Sequence, residues 1–154
     1  MSKSAAPPEG KLLPYAITLE ARDMCFCLHV RRAARALARR YDTALRPAGM
    51  TSGQFSLMMA LNRPVPPQMH AVADLLAMDR TTLTAAIKPL ERRGLIRVEQ
   101  DAADKRIRRL ALTRDGEALL AAAAPIWRAT QQETARLIEK SGVDGLLADL
   151  RALS

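Results

Sequence analysis

Aromatic side chains are nearly missing: one Trp, two Tyr and two Phe among 154 residues. That scarcity argues against a platform of rings on which single-stranded bases stack. Cysteine occurs twice, as Cys25-x-Cys27, too few and too closely spaced for a disulfide framework, so a reducing cytoplasm is the expected setting. Histidine also occurs twice, the acids are scattered, and no nucleophile elbow, phosphate loop or zinc-ligand spacing is present. The chain is therefore read as no enzyme, with no metal and no cofactor. No apolar run reaches the roughly 18 residues that span a bilayer, so no membrane partner is expected. The first ten residues have no apolar stretch behind Lys3, and no secretory signal is expected.

What the sequence has instead is positive charge. Twenty-four Lys and Arg stand against sixteen Asp and Glu, a net charge of +8, and the isoelectric point is near 10.3. Such a balance fits an anionic partner, nucleic acid first. Residues 22–46 carry net +5 and residues 79–109 net +4, whereas residues 113–154 carry net −1. Placement in two blocks is more informative than an Arg-rich composition.

The apolar periodicity predicts a mainly α fold with one small β-hairpin. Residues 1–14 are polar, bear proline and read as a frayed arm. A helix is predicted from Leu19 to Arg46, with Cys27, Val30, Ala34, Leu37, Tyr41, Ala44 and Leu45 on one face, ended by Pro47 and Gly49. Thr51-Ser-Gly-Gln54 is a capping-box pattern opening a helix that buries Phe55, Met58 and Met59. Residues 62–68 form a loop. A short helix over 70–78 buries Val72, Leu75 and Leu76. A turn at Ala77–Asp79 follows, then a helix capped by Asp79 that runs to Arg93 and stops at Gly94. Strands are expected at Leu95–Gln100 and Lys105–Leu112, joined through Asp101–Asp104. Thr113 caps a long helix to Lys140. Ser141-Gly142 breaks it, and a last helix carries Val143, Leu146, Leu147, Leu150 and Leu153 on one side.

On the helix after Asp79, at 100° per residue, Leu83, Ala86, Ile87 and Leu90 share one face. The opposite face holds Thr81, Ala85, Lys88 and Arg92, with Thr84 at its edge and no acid. Small hydroxyls mixed with cations can approach a major groove and donate to phosphates and base edges. The plain alternative is a solvated amphipathic helix. The short helix just before it makes a helix-turn-helix, and the hairpin with Lys105, Arg106, Arg108 and Arg109 makes a wing. An arginine at the wing tip suits a narrow minor groove, and Asp104 is placed to orient Arg106. A basic edge strand guarded against aggregation would carry the same charges.

Leu75-Leu76-Ala77-Met78-Asp79-Arg80-Thr81-Thr82-Leu83-Thr84, then Leu90-Glu91-Arg92-Arg93-Gly94-Leu95-Ile96, then Asp101-Ala-Ala-Asp104-Lys-Arg106, then Leu112-Thr113-Arg-Asp-Gly116 together resemble the MarR family of bacterial transcriptional regulators. The likeness runs in register from Met24 to Lys140. It implies a homodimer joined through the N- and C-terminal helices, with two winged helix-turn-helix lobes on a pseudo-palindromic operator in double-stranded DNA, and ligand or redox control of release. By the same likeness Arg80, Thr81, Thr82, Thr84 and Lys88 face the major groove, and Asp104 and Arg106 form the wing tip. Pro89, well inside the recognition helix, departs from the pattern. The division expected is an arm at 1–18, a dimerisation helix at 19–47, the DNA-binding domain at 48–113 and C-terminal dimerisation helices at 114–154. The leucine stripe of the last helix agrees, since an isolated lobe leaves it little to cover it.

Two kinds of sensing are open. Cys27 and Tyr41, fourteen residues apart and followed by Gln54-Phe55, are similar to the organic-hydroperoxide sensors of the family. That likeness makes Cys27 the reactive thiol and Tyr41, from a second copy, its partner; Arg31 stands where those sensors have another tyrosine. Cys25 and Cys27 are equally consistent with ordinary core residues. Alternatively Tyr41, Phe55, Met58 and Met59 line an apolar pocket for a small aromatic or phenolic ligand, with Arg31, Arg32 and Arg35 near to hold a carboxylate. Arg32, Arg35 and Arg39 share one face of the first helix and are read as solvated, or as flanking phosphates or an acidic partner. The expectation is a site-specific repressor; the alternative is an architectural DNA-binding protein without effector control.

Overall fold

The computed structural model describes residues 12–138 and 140–154. The expected arm lies outside the described residues up to position 11. The helices are α1 (Tyr15–Met24), α2 (Phe26–Leu45), α3 (Ser52–Leu61), α4 (Met69–Leu75), α5 (Arg80–Arg92), α6 (Arg114–Ala135) and α7 (Gly142–Ala152), and the strands are β1 (Ile96–Gln100) and β2 (Arg108–Leu112). A 3₁₀ turn, Arg46–Ala48, follows α2 and closes on Gly49. The chain divides into two compact units, with the division between Arg39 and Arg40.

In the N-terminal unit, helix begins at Tyr15, four residues ahead of the expected start, and the single long helix is two helices interrupted at Cys25. Neither proline nor glycine marks that break. Cys25 is extended (φ −71°, ψ 107°), and its N–H still donates to the Ala21 carbonyl. Its Sγ accepts from the Leu28 N–H at 3.5 Å, and His29 Nε2 donates to the Asp23 carbonyl at 3.1 Å. Side chains thus take over orphan backbone groups at both helix ends, a competition that residue periodicity does not register. Cys27, Val30, Ala34 and Leu37, expected on a buried stripe, are exposed in the single chain.

In the second unit α3, α5 and α6 start at side-chain caps. Thr51 forms a reciprocal capping box with Gln54. The Ser52 N–H donates to Asp42 at 2.6 Å, tying the end of α2 to the start of α3. Helix α4 ends in a Schellman turn: the Ala77 N–H bonds the Asp74 carbonyl and the Met78 N–H bonds that of Ala73, with Ala77 at φ +50°. The same turn closes α5, from Gly94 to Glu91 and from Leu95 to Leu90, with Gly94 at φ +68°. Asp79 caps α5 through the Thr82 N–H at 2.7 Å.

Strands β1 and β2 pair antiparallel, Ile96 opposite Leu112 and Gln100 opposite Arg108. Across the other edge of β2, the Leu110 N–H donates to the Pro67 carbonyl and Gln68 bridges Arg109. The return strand is three residues shorter than expected. Lys105 and Arg106 belong to the connecting loop, because the Asp101 N–H bonds the Ile107 carbonyl and encloses them.

One core serves this unit. Leu45, Leu57, Met58, Val72, Leu83, Leu90 and Leu110 are its largest fully buried side chains, each worth roughly 1.5–3 kcal/mol of transfer free energy. Two expected members fall outside: Met59 and Leu75 are 41% and 57% exposed, because they border an open groove between α3, α4 and α6 rather than the packed core. Helix α6 stops at Ala135, short of Lys140. There Leu137 and Ile138 switch to bonds three residues back, and buried Thr130 and Thr134 have turned their hydroxyls onto the helix's own carbonyls. Helix α7 follows the expected Ser141-Gly142 break, with Leu147, Leu150 and Leu153 exposed.

Candidate nucleic-acid interface

Three elements meet at this face: α4 and α5 at their tight turn, and the wing between β1 and β2. Gly116 anchors them from behind. A Cβ on Gly116 would lie 2.0 Å from the Leu95 carbonyl oxygen, so only glycine lets α6 start against the end of the recognition helix. Thr113 completes the joint, its N–H donating to the Leu95 carbonyl and its hydroxyl to that of Gly94 at 2.6 Å, while its Oγ1 accepts from the Gly116 N–H.

On α5 the buried side is Leu83, Ile87 and Leu90, as the periodicity predicts. The helix runs unbroken through Pro89 to Arg92. Its outward side is an open depression of ≈420 Å³ lined by Arg80, Thr81, Thr84, Ala85, Lys88, Pro89 and Arg92. Four of the five expected groove-facing residues thus come together. Thr82 does not line this depression; its hydroxyl donates to Asp79 Oδ2 at 2.8 Å. The Thr84 hydroxyl donates to the Arg80 carbonyl at 2.7 Å.

The wing is organised by two aspartates. Asp101 accepts from the Ala103 and Asp104 N–H groups, at 2.8 and 3.1 Å, and pairs with Arg109. Arg109 reaches on to the Pro66 carbonyl at 2.7 Å, so it fastens the base of the wing and is not a free cation. Asp104 holds Arg106 through its backbone N–H, Nε and Nη2, at 3.0, 3.1 and 2.9 Å, while the Arg106 side chain stays 91% exposed. That is the orientation expected for a wing-tip arginine. The Arg109 guanidinium, then the Ala103 and Asp104 amides, lower the Asp101 pKa from its ordinary value, and Arg106 lowers that of Asp104. Between wing and α4 lies a second recess of ≈460 Å³, bounded by Gln68, His70, Arg80, Arg106 and Arg108 among others. His70 and Arg108 in this role are not marked by sequence periodicity.

The residues expected to sense an effector do not assemble as one pocket. Phe55 and Met59 line a shallow groove of ≈360 Å³ with Ser56, Ala60, Arg63, Leu75, Leu76 and Trp127. Trp127 stacks on Phe55 with ring centroids 5.9 Å apart. Met58 lies beneath, fully buried, and the Tyr41 hydroxyl donates to Gln131. Trp127 was not foreseen, because α6 carries it in from seventy residues away. Cys25 is half-buried at the α1–α2 break, and Cys27 is exposed one residue into α2. Arg31, Arg32, Arg35 and Arg39 are exposed on α2, where Arg32, Arg35 and Arg39 border one shallow recess. Among the described residues no three His, Cys, Asp or Glu side chains cluster as a metal site, and no helix is long and apolar enough to cross a membrane.

Comparison with known proteins follows the same geometry. A family model described as MarR family matches residues 50–107. The transcriptional regulator MosR of M. tuberculosis, solved in complex with DNA, is 37% identical, with 84% of this chain and 92% of that one covered and a TM-score of 0.75. The MepR–DNA complex of S. aureus, 20% identical, shares the fold, with a TM-score of 0.73 over 84% of this chain and 96% of that one. The transcriptional regulator HosA of Escherichia coli O157:H7 is 37% identical over 84 residues, 54% of this chain. The match spans 62% of HosA's length, about three fifths.

Proposed function

Because the chain belongs to the MarR family of transcriptional regulators, we propose that it is a homodimeric repressor binding a pseudo-palindromic operator in double-stranded DNA, in the cytoplasm. One observation carries the reading. The acid-free outer face of α5 and the Asp104-held guanidinium of Arg106 belong to one winged helix-turn-helix lobe. Arg80, Thr81, Thr84 and Lys88 serve the major groove, and Arg106, held by Asp104, serves the minor groove. MosR, solved with DNA at 37% identity, supports the partner class. Apolar side chains left uncovered on α1, α2 and α7, among them Phe26, Val30, Leu37, Leu147 and Leu150, support a second copy as their cover.

The test is binding of the reduced full chain to a labelled duplex from its own upstream region, at physiological salt, against random duplex. Binding that resists the competitor supports a site-specific regulator. Displacement by any duplex favours an architectural protein without effector control.

For control of release, the apolar groove of Phe55, Met59 and Trp127 with Arg63 at its edge favours a small aromatic acid or phenol. Thermal stabilisation by some member of an aromatic-acid panel is the expected result, and none would sink it. A second reading rests on the exposed thiol of Cys27 near the start of α2. An organic hydroperoxide would convert it to a sulfenic acid and leave as the alcohol. In that case Cys27→Ser keeps DNA binding and loses peroxide-induced release. Release unchanged in the mutant ends the redox reading.

A further inference from the structure

The outer face of α5 is less polar than its sequence suggests. Its three threonines do not offer three free hydroxyls. The Thr82 proton is committed to Asp79 Oδ2 and the Thr84 proton to the Arg80 carbonyl. With its oxygen turned back along the helix, Thr84 offers its methyl group outward. Beside it lie the Ala85 methyl and the ring of Pro89, a residue with no N–H to give. The depression thus carries apolar surface from Thr84, Ala85 and Pro89, interleaved with Thr81, Lys88 and Arg92 along the same face and with Arg80 at the head of the helix.

In the major groove one base edge carries an apolar group, the C5-methyl of thymine; the other edges present donors and acceptors. We propose that the Thr84 methyl, with Ala85 beside it, forms a thymine-methyl reading site, flanked by Arg80 and Lys88, which hold phosphates or guanine edges. The proposal rests on the DNA-binding reading above and adds a specificity to it. Pro89, one turn beyond Ala85, extends the apolar surface where a longer polar side chain would supply hydrogen bonds. The same arrangement separates the threonines by function, with Thr81 left to donate and Thr84 to make contact through carbon.

The experiment begins with selection of operators from a random duplex library by the full-length chain. Thymidines of the selected site are then replaced one at a time by deoxyuridine, which removes the methyl and leaves every hydrogen-bonding edge intact. At one or two positions in each half-site the replacement is expected to weaken binding about fourfold, the scale of one buried carbon group. Thr84→Ser keeps the hydroxyl and loses the methyl; affinity should fall by a similar factor and the sensitivity at that position should disappear. Indifference to deoxyuridine throughout a selected site overturns the proposal, as does deoxyuridine sensitivity that Thr84→Ser leaves unchanged. Failure to enrich any sequence overturns the site-specific reading itself, and the methyl site with it.

Discussion

Two backbone positions show how much single residues decide here. Ala77 holds φ +50° to close the turn between α4 and α5, a conformation costing an L-residue roughly 1–2 kcal/mol. Ala77→Gly relieves it and gives back part of that gain through chain entropy, so urea unfolding is expected to show a rise of about 1 kcal/mol or less. Gly116 is the opposite case. Gly116→Ala drives a methyl into the Leu95 carbonyl at 2.0 Å, and roughly 3 kcal/mol of stability should be lost; a change under 0.5 kcal/mol would mean that the joint opens freely. Charge at the wing gives a third test. Asp101 and Asp104 have pKa values lowered by Arg109 and Arg106 respectively, with backbone amides assisting. A lowered folded value means that their contribution is complete above the ordinary aspartate value of about 3.9 and fades as pH falls through the folded one. The amide resonances of Ala103 and Asp104, which both bond Asp101, should therefore titrate below the ordinary aspartate range. Movement above pH 5 would contradict the ion pairing.

At the scale of elements, caps and stops were legible because they are local. Thr51, Asp79, Gly94 and Thr113 each act within a few residues of where they stand. The buried side of α5 was legible too, since one period over thirteen residues defines it. What was not legible depends on distant neighbours. Periodicity places Met59 and Leu75 among apolar faces, but whether another element covers them is a property of the whole lobe. The Phe55–Trp127 stack and the reach of Arg109 to Pro66 join segments far apart in the chain. The break at Cys25 escaped because sulfur and imidazole caps carry no proline or glycine signature. Of the candidate site, the outer face of α5 and the Asp104–Arg106 pair were foreseen, while the withdrawal of two threonine hydroxyls required coordinates. The wing supplies this scale's prediction. Asp104→Asn leaves Arg106 without its anionic partner, so DNA affinity should fall with the fold of the lobe unchanged by circular dichroism. Affinity equal to the parent would mean that the pairing is structural only.

At the scale of the molecule, uncovered apolar side chains on α1, α2 and α7 predict a particle of twice 16.9 kDa by light scattering. Leu150→Arg should shift it toward a single chain and weaken operator binding, because two half-sites are then engaged independently. A single-chain mass for the parent would remove the dimer. Affinity should fall steeply with salt, and Lys105→Ala should make the salt slope shallower by about one unit.

The joint at Gly116 has a kinematic consequence. With Thr113 fastened to both Gly94 and Leu95 and no room for even a methyl between helix and carbonyl, the tail of α5 and the head of α6 share one set of degrees of freedom. The chain just past the end of α5 cannot shift against the start of α6 without breaking that joint. On the proposed reading, a displacement of the head of α6 would carry the tail of α5 with it, so control of release would act on how the lobe is set against the DNA and not on the shape of its reading helix.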